Sequence, residues 1–301
     1  MTTCALASLL GDEPLAATAA TARTWLLLEQ PGPWGANAPH DSHLDPAAAH
    51  ALATAAEGTG VRVALIRRPG RHADHGGSTR RRVYLAHTVP GRSWLRAWHT
   101  TDPAALAALD FPALGTGDHT GLGEPYRGDP LALVCTNGRR DRCCAVLGRP
   151  LAAELAASGG ANVWEITHIG GHRFSPTLLV LPYGYAYGRA DAPLVKSVLT
   201  AVRRGRVVLD HCRGRSAWDQ PGQAAELAVR EATGETDIDA LSVTGTDDTV
   251  TVSHRDGRTW HVTVAAAPGP PTPASCGTPP APQARVRAVR MESRPPPHRR
   301  P

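Results

Sequence analysis

Residues 131–155, LALVCTNGRRDRCCAVLGRPLAAEL, and 163–187, VWEITHIGGHRFSPTLLVLPYGYAY, decide how this chain folds. Leu131–Cys135 is a continuous apolar run of strand length, the pattern of a strand buried on both faces. A polar loop, TNGRRDR, leads to Cys143 and Cys144. Pro150 then predicts the start of a helix over LAAELAAS that stops at Gly159–Gly160. Val163–Thr167 reads as a second strand, and HIGGH follows it as a loop. Thr177–Leu181 and Tyr185–Tyr187 form a hairpin around Pro182 and Gly184. Asp191 caps a helix, APLVKSVLTAVRR, with Arg203 and Arg204 in its last turn and Gly205 past its end.

Strand, helix, strand, hairpin, helix is the order of a small thioredoxin-like core over residues 126–205. Before it, residues 1–125 alternate strand and helix signals. Trp25–Leu28, Val61–Ile66, Val83–His87 and Ser93–Trp98 read as strands. Asp45–Pro46 supplies a cap and a first-turn proline for a helix ending near Gly58. After the core, residues 206–267 predict a helix around Gln220–Glu231 and two strands, Val250–Ser253 and Thr259–Val264, joined by the turn HRDG. Residues 268–301 are rich in proline and arginine and predict a disordered tail, because they offer little apolar surface to bury. The expected class is therefore α/β, and no internal repeat is evident in the sequence.

Composition narrows the function. Hydrophobic residues make up 42% of 301, enough for a sizeable aliphatic core. The net charge of +5 comes from 31 Arg and one Lys against 27 acids, and the Arg residues are scattered, which argues against a nucleic-acid surface. No stretch reaches membrane-span length, so no membrane association is expected. The opening MTTCALASLLGDEP lacks a basic n-region, and a cytoplasmic protein is the expectation. Six cysteines (4, 135, 143, 144, 212 and 276) are too few for a disulfide scaffold in a chain this long. In a reducing compartment, clustered Cys favour metal or redox chemistry.

Cys135 and Cys144 are separated by eight residues and His168 and His172 by three, and each pair begins at the end of a predicted strand. Four Cys/His ligands are a usual structural zinc set, but compact zinc sites bring Cys pairs in on knuckles of about two to four residues. A wider loop suits a larger object, and a two-iron cluster is one. Gly170 and Gly171 oppose a helix between the histidines by roughly 1 kcal/mol each, so a loop is expected there, closing both imidazoles on the metal. Taken singly, Cys135 would be a core residue and each His a loop residue. His40, His43, His72 and His75 read as surface residues.

The central run, together with WLLLEQPGPWG in the N-terminal part, RGRSAWDQPGQAAELAVRE at 213–231 and ASCG at 274–277, resembles the sucrase/ferredoxin-like family. The resemblance implies a thioredoxin-like ferredoxin. Its [2Fe–2S] cluster would be held by two Cys and two His, which fall on Cys135, Cys144, His168 and His172. Cys143 is then a non-ligating neighbour, able to replace Cys144 only if the loop register differs by one. Arg139 and Asp141 shape the loop without ligating. The spacing suggests that the Cys pair shares one iron and the His pair the other. Such ligation implies a potential nearer the Rieske range of roughly −150 to +300 mV than the roughly −400 mV of plant-type ferredoxins, with electron uptake coupled to proton uptake.

The expected function is electron transfer between an unidentified reductase and acceptor, not catalysis. A zinc-stabilised binding module and a thioredoxin-type thiol oxidoreductase are the competing readings, although a C-x-x-C signature is missing. No pair of carboxylates stands out as a glycosidase constellation, so sucrase activity is not expected.

Overall fold

The computed structural model describes residues 3–70, 79–119, 121–159, 162–245 and 248–294. His72 and His75 lie outside them, whereas His40 and His43 are exposed as expected. Helix α1 (Cys4–Leu10) opens the chain, capped by the hydroxyl of Thr3. The elements β1 (Thr24–Glu29), α2 (Pro46–Ala56), β2 (Val61–Arg67), β3 (Arg81–His87), β4 (Trp94–Thr100), α3 (Phe111–Thr116) and the short β5 (Glu124–Pro125) follow. The middle part holds β6 (Leu131–Cys135), α4 (Arg142–Ala157), β7 (Asn162–Ile166), β8 (Leu178–Leu181), β9 (Tyr185–Tyr187) and α5 (Ala192–Arg203), in the order the sequence predicts. Then come β10 (Cys212–Arg215), α6 (Gln220–Thr233), β11 (Leu241–Thr244), β12 (Thr249–His254), β13 (Thr259–Pro273) and β14 (Pro280–Arg294). No described helix is long and apolar enough to cross a membrane.

Among the described residues, ten strands form one mixed sheet in the order β10-β9-β8-β6-β7-β2-β1-β3-β4-β5. Its apolar strands alternate between two cores, as the pleat requires. Ala132 and Val134 of β6 face α4 and α5, while Leu131, Leu133 and Cys135 face the other side with Trp25, Leu27, Trp164 and Ile166. Burying each large aliphatic or aromatic side chain contributes roughly 1.5–3 kcal/mol, so these two layers dominate the stability. A second sheet, β11-β12-β13-β14, packs its apolar face (Val250, Val252, Trp260, Val262) with Ala224, Ala225 and Val229 of α6.

The sheet contains a repeat that the sequence does not reveal. In the middle part, β6 pairs parallel with β7 and antiparallel with β8, and β8 pairs antiparallel with β9. In the N-terminal part, β1 pairs parallel with β2 and antiparallel with β3, and β3 pairs antiparallel with β4. The two units meet edge to edge, with Ile66 opposite Ile166 and Arg67 opposite Glu165. Because Cys135 pairs with Ile166 and Glu29 pairs with Ile66, Glu29 is the topological counterpart of Cys135. The residue two beyond each partner is His168 in one unit and Arg68 in the other. The N-terminal copy thus keeps the topology and carries neither a cysteine nor a histidine at those two positions, but Glu29 and Arg68.

Two expectations change. The helix expected from Pro150 begins earlier, at Arg142, and holds Pro150 in its interior. Asp141, accepting from the Cys143 N–H at 2.8 Å, is the actual start signal. Pro150 leaves unpaired only the carbonyl four residues back, on the exposed Val146, while Leu151, Ala152 and Leu155 bury themselves in the core. The tail expected to be disordered from 268 instead pairs as a β13–β14 ribbon as far as Arg294, and residues 295–301 lie outside the described residues. Pairing of β12 with β13 ends at Thr263, so most of the prolines lie where β13 is a two-stranded ribbon. There a missing N–H and a register shift between Pro268 and Pro271 are tolerated.

Candidate metal centre

Three chain segments converge where β6 ends. Cys135 is the last residue of β6, Cys144 lies in the first turn of α4, and His168 follows β7 by two residues. The sulfur and imidazole donor atoms of these three lie within 4.8 Å of one another, and both cysteines are fully buried. Cys144 Sγ is 4.0 Å from His168 Nδ1, and the Ser175 hydroxyl points at the same sulfur from 3.9 Å. His172 starts a 3-10 turn (His172–Phe174), with its Nδ1 3.5 Å from His168 Nε2. The structure therefore groups Cys135, Cys144 and His168 and sets His172 directly behind His168.

Backbone chemistry places each group. Gly148 of α4 lies so close to β6 that a Cβ there would sit 2.2 Å from the Cys135 carbonyl oxygen, and this contact seats the helix on the strand end. Gly170 and Gly171 both have left-handed backbones (φ +82° and +70°) and fold the histidine loop back on itself. Two arginines hold that loop. Arg62 donates to the His168 carbonyl at 2.9 Å. The fully buried Arg213 donates to the Gly170 carbonyl at 3.1 Å, to the Thr18 hydroxyl at 3.0 Å and to the Thr18 carbonyl. Burial, reinforced by Arg173 nearby, brings the Arg213 guanidinium down to about 10.

The electrostatics favour an anionic sulfur. The Cys144 thiol and His168, with the Asn137 N–H, outweigh burial and hold Cys135 well below the ordinary thiol range, while Cys144, sharing a proton with Cys135, is pushed up. Burial lowers His172 despite the nearby Asp141. Its Nε2 lies 2.6 Å from the Ala274 carbonyl, so Nε2 carries the proton and Nδ1 keeps the lone pair a metal needs.

Cys143 points away from this group, towards Cys4 and Cys276. Arg139 is exposed, whereas Asp141 is buried and accepts from Cys143, Ser275 and Cys276. Arg62, Arg213, Cys4 and Ser275 had no role in the sequence reading. Arg213 sits in the quoted RGRSAWDQ motif, but only the fold brings it under the histidine loop.

Residues 15–214 match the family described as sucrase/ferredoxin-like. Altered inheritance of mitochondria protein 32 from Meyerozyma guilliermondii is 30% identical over 97 residues, covering 29% of this chain and 34% of that protein. The chain thus matches about a third of that relative's length. No solved structure matches. With two thirds of its length matched, this chain belongs to the sucrase/ferredoxin-like family.

Proposed function

We propose that Cys135, Cys144, His168 and His172 hold a [2Fe–2S] cluster and that the protein is a thioredoxin-like electron carrier of the cytoplasm. The observation that carries this reading is the convergence of Cys135, Cys144 and His168 within 4.8 Å, with His172 Nδ1 directed at His168. The donor set fits: two buried sulfurs beside imidazole nitrogens. The strand order β7-β6-β8-β9 with α4 and α5 supports the thioredoxin-like part.

Held by two thiolates and two neutral imidazoles, a bound cluster would supply one-electron chemistry at a higher potential than an all-Cys site. The protein's residues tune that step. Arg62 and Arg213 place positive charge behind the histidine loop and favour the reduced state. The Ala274 carbonyl fixes the His172 tautomer, and the Nε2 proton it holds would be the one lost or regained were the charge at the site to change. A partner reductase would supply the electron and a second protein would take it.

One observation favours a second reading. The 4.0 Å between Cys144 Sγ and His168 Nδ1 is close to the roughly 3.6 Å expected when S and N share one tetrahedral zinc. Were the Cys pair and the His pair to bind different irons of a cluster, sulfur and nitrogen would stand farther apart than that. The test is the absorption spectrum of anaerobically purified protein with iron and sulfide analysis. Colour with equal iron and sulfide supports the cluster. A colourless protein with zinc lost in Cys135→Ser replaces it with the zinc reading.

A further inference from the structure

Beside the first site lies a second thiol cluster, built from segments far apart in the chain. Cys4 belongs to α1, Cys143 to the first turn of α4 and Cys276 to the turn between β13 and β14. Their sulfurs are 3.5 Å (Cys4–Cys143), 3.6 Å (Cys4–Cys276) and 3.2 Å (Cys143–Cys276) apart. The carboxylate of Asp141 closes the group, with its oxygens 3.7 and 3.8 Å from Cys4 Sγ. We propose that Cys4, Cys143, Cys276 and Asp141 form a mononuclear zinc site, separate from the Cys135/Cys144/His168 group.

The distances suit one ion. Zinc–sulfur bonds of about 2.3 Å at tetrahedral angles put sulfurs about 3.8 Å apart, and a zinc–oxygen bond of about 2.0–2.2 Å gives S···O of about 3.5 Å. All four donor atoms lie within 4.8 Å of one another. Closing round one ion moves the sulfurs apart, from 3.2–3.6 Å to about 3.8 Å, and draws the carboxylate oxygen in from 3.7 Å to about 3.5 Å.

Charge points the same way. The Asp141 side chain is fully buried, and its closest ionic partner among the described residues is His172, at 3.6 Å. Hydrogen bonds keep this buried carboxylate charged beside three thiols, and among the described residues no Lys or Arg pairs with it as a countercharge. A divalent cation supplies it and displaces the thiol protons. Asp141 is already aimed, because it accepts from the Cys143 N–H (2.8 Å), the Cys276 N–H (2.8 Å) and the Ser275 hydroxyl (2.7 Å). Two of its three donors are thus the backbones of cysteines it would ligate beside.

A disulfide fits less well. It would join two of three equivalent thiols, strand the third and leave the carboxylate without a cation. The zinc site also explains how two peripheral pieces stay in place. Helix α1 has seven residues, with Leu6, Leu9 and Leu10 exposed, and the β13–β14 ribbon is proline-rich, yet both end on Cys143. Cys143 and Cys144 are neighbours in sequence and serve different sites because the first turn of α4 turns them apart.

The full-length chain tests this. Wild-type protein purified anaerobically should contain one zinc, and Cys276→Ser should lose it while keeping its iron. Cobalt added to a Cys135→Ser/Cys144→Ser double variant should give sulfur-to-cobalt charge transfer and tetrahedral ligand-field bands. Adding Cys276→Ser should abolish them, and zinc should displace the cobalt. Unchanged zinc in Cys276→Ser, no metal bound by the double variant, or a disulfide among residues 4, 143 and 276 in the anaerobic protein would each overturn the proposal. Failure of the iron–sulfur reading shows separately, as absent iron and sulfide.

Discussion

Gly171→Ala and Gly170→Ala form a matched pair that isolates the clamp on the histidine loop. Both glycines are left-handed, so each alanine costs about 1–2 kcal/mol in backbone strain. At Gly170 the added Cβ meets only the Ala20 methyl at 3.5 Å, an ordinary contact. At Gly171 it would lie 2.1 Å from Arg213 Nη2 and 2.6 Å from its Cζ, so the guanidinium must move. Arg213 is fully buried and bonds Thr18 and the Gly170 carbonyl. Hydrogen bonds to charged groups contribute about 1.5–3 kcal/mol each, and losing one or two of them adds about 2–5 kcal/mol. Gly171→Ala should therefore cost about 3–7 kcal/mol and Gly170→Ala about 1–2 kcal/mol. Urea unfolding monitored by tryptophan fluorescence, at matched m-values, measures the gap. Equal losses in the two variants would refute the claim that Arg213 locks the loop, and so would a Gly171→Ala cost no larger than the backbone term.

Further outcomes follow from the same contacts. His172→Cys should retain a cluster and lower its reduction potential, and the wild-type potential should vary with pH; an unchanged potential in the variant, read by redox titration, would remove His172 from the ligand set. Glu226→Ala should destabilise the fold by about 3–5 kcal/mol in denaturant titrations, because it strands the buried Arg230 that it pairs with at 3.0 Å and takes the partner of the Tyr185 hydroxyl. Burial, with Arg92, Arg23 and Arg215 nearby, lowers His87 to about 4. Its folded value thus lies below the unfolded one, and the unfolded chain binds the extra proton between pH 6.5 and 4. The His87 contribution is complete above that window and is lost as pH falls through it. His87→Gln should reduce the slope of stability against pH there by one proton, and an unaltered slope would show that His87 does not titrate on unfolding.

Local sequence determined the elements. Apolar runs such as Leu131–Cys135, caps such as Asp191 and turns around Gly184 depend on near neighbours, and these elements appear where the sequence puts them. The Cys135/Cys144 and His168/His172 spacings were readable for the same reason: each pair spans one short connection that follows one strand. Tertiary structure decided everything that joins distant segments. Arg213 reaches Gly170 across 43 positions, and Cys4 meets Cys276 across 272, separations that no periodicity encodes. The doubled strand order was hidden because topology constrains connectivity and burial, while side chains as different as Cys135 and Glu29 satisfy the same place in it. The proline-rich end looked unable to order itself because composition counts only what a segment buries alone. Pairing along β13–β14, and a turn seated on Asp141, supplied the contacts that its own sequence lacks.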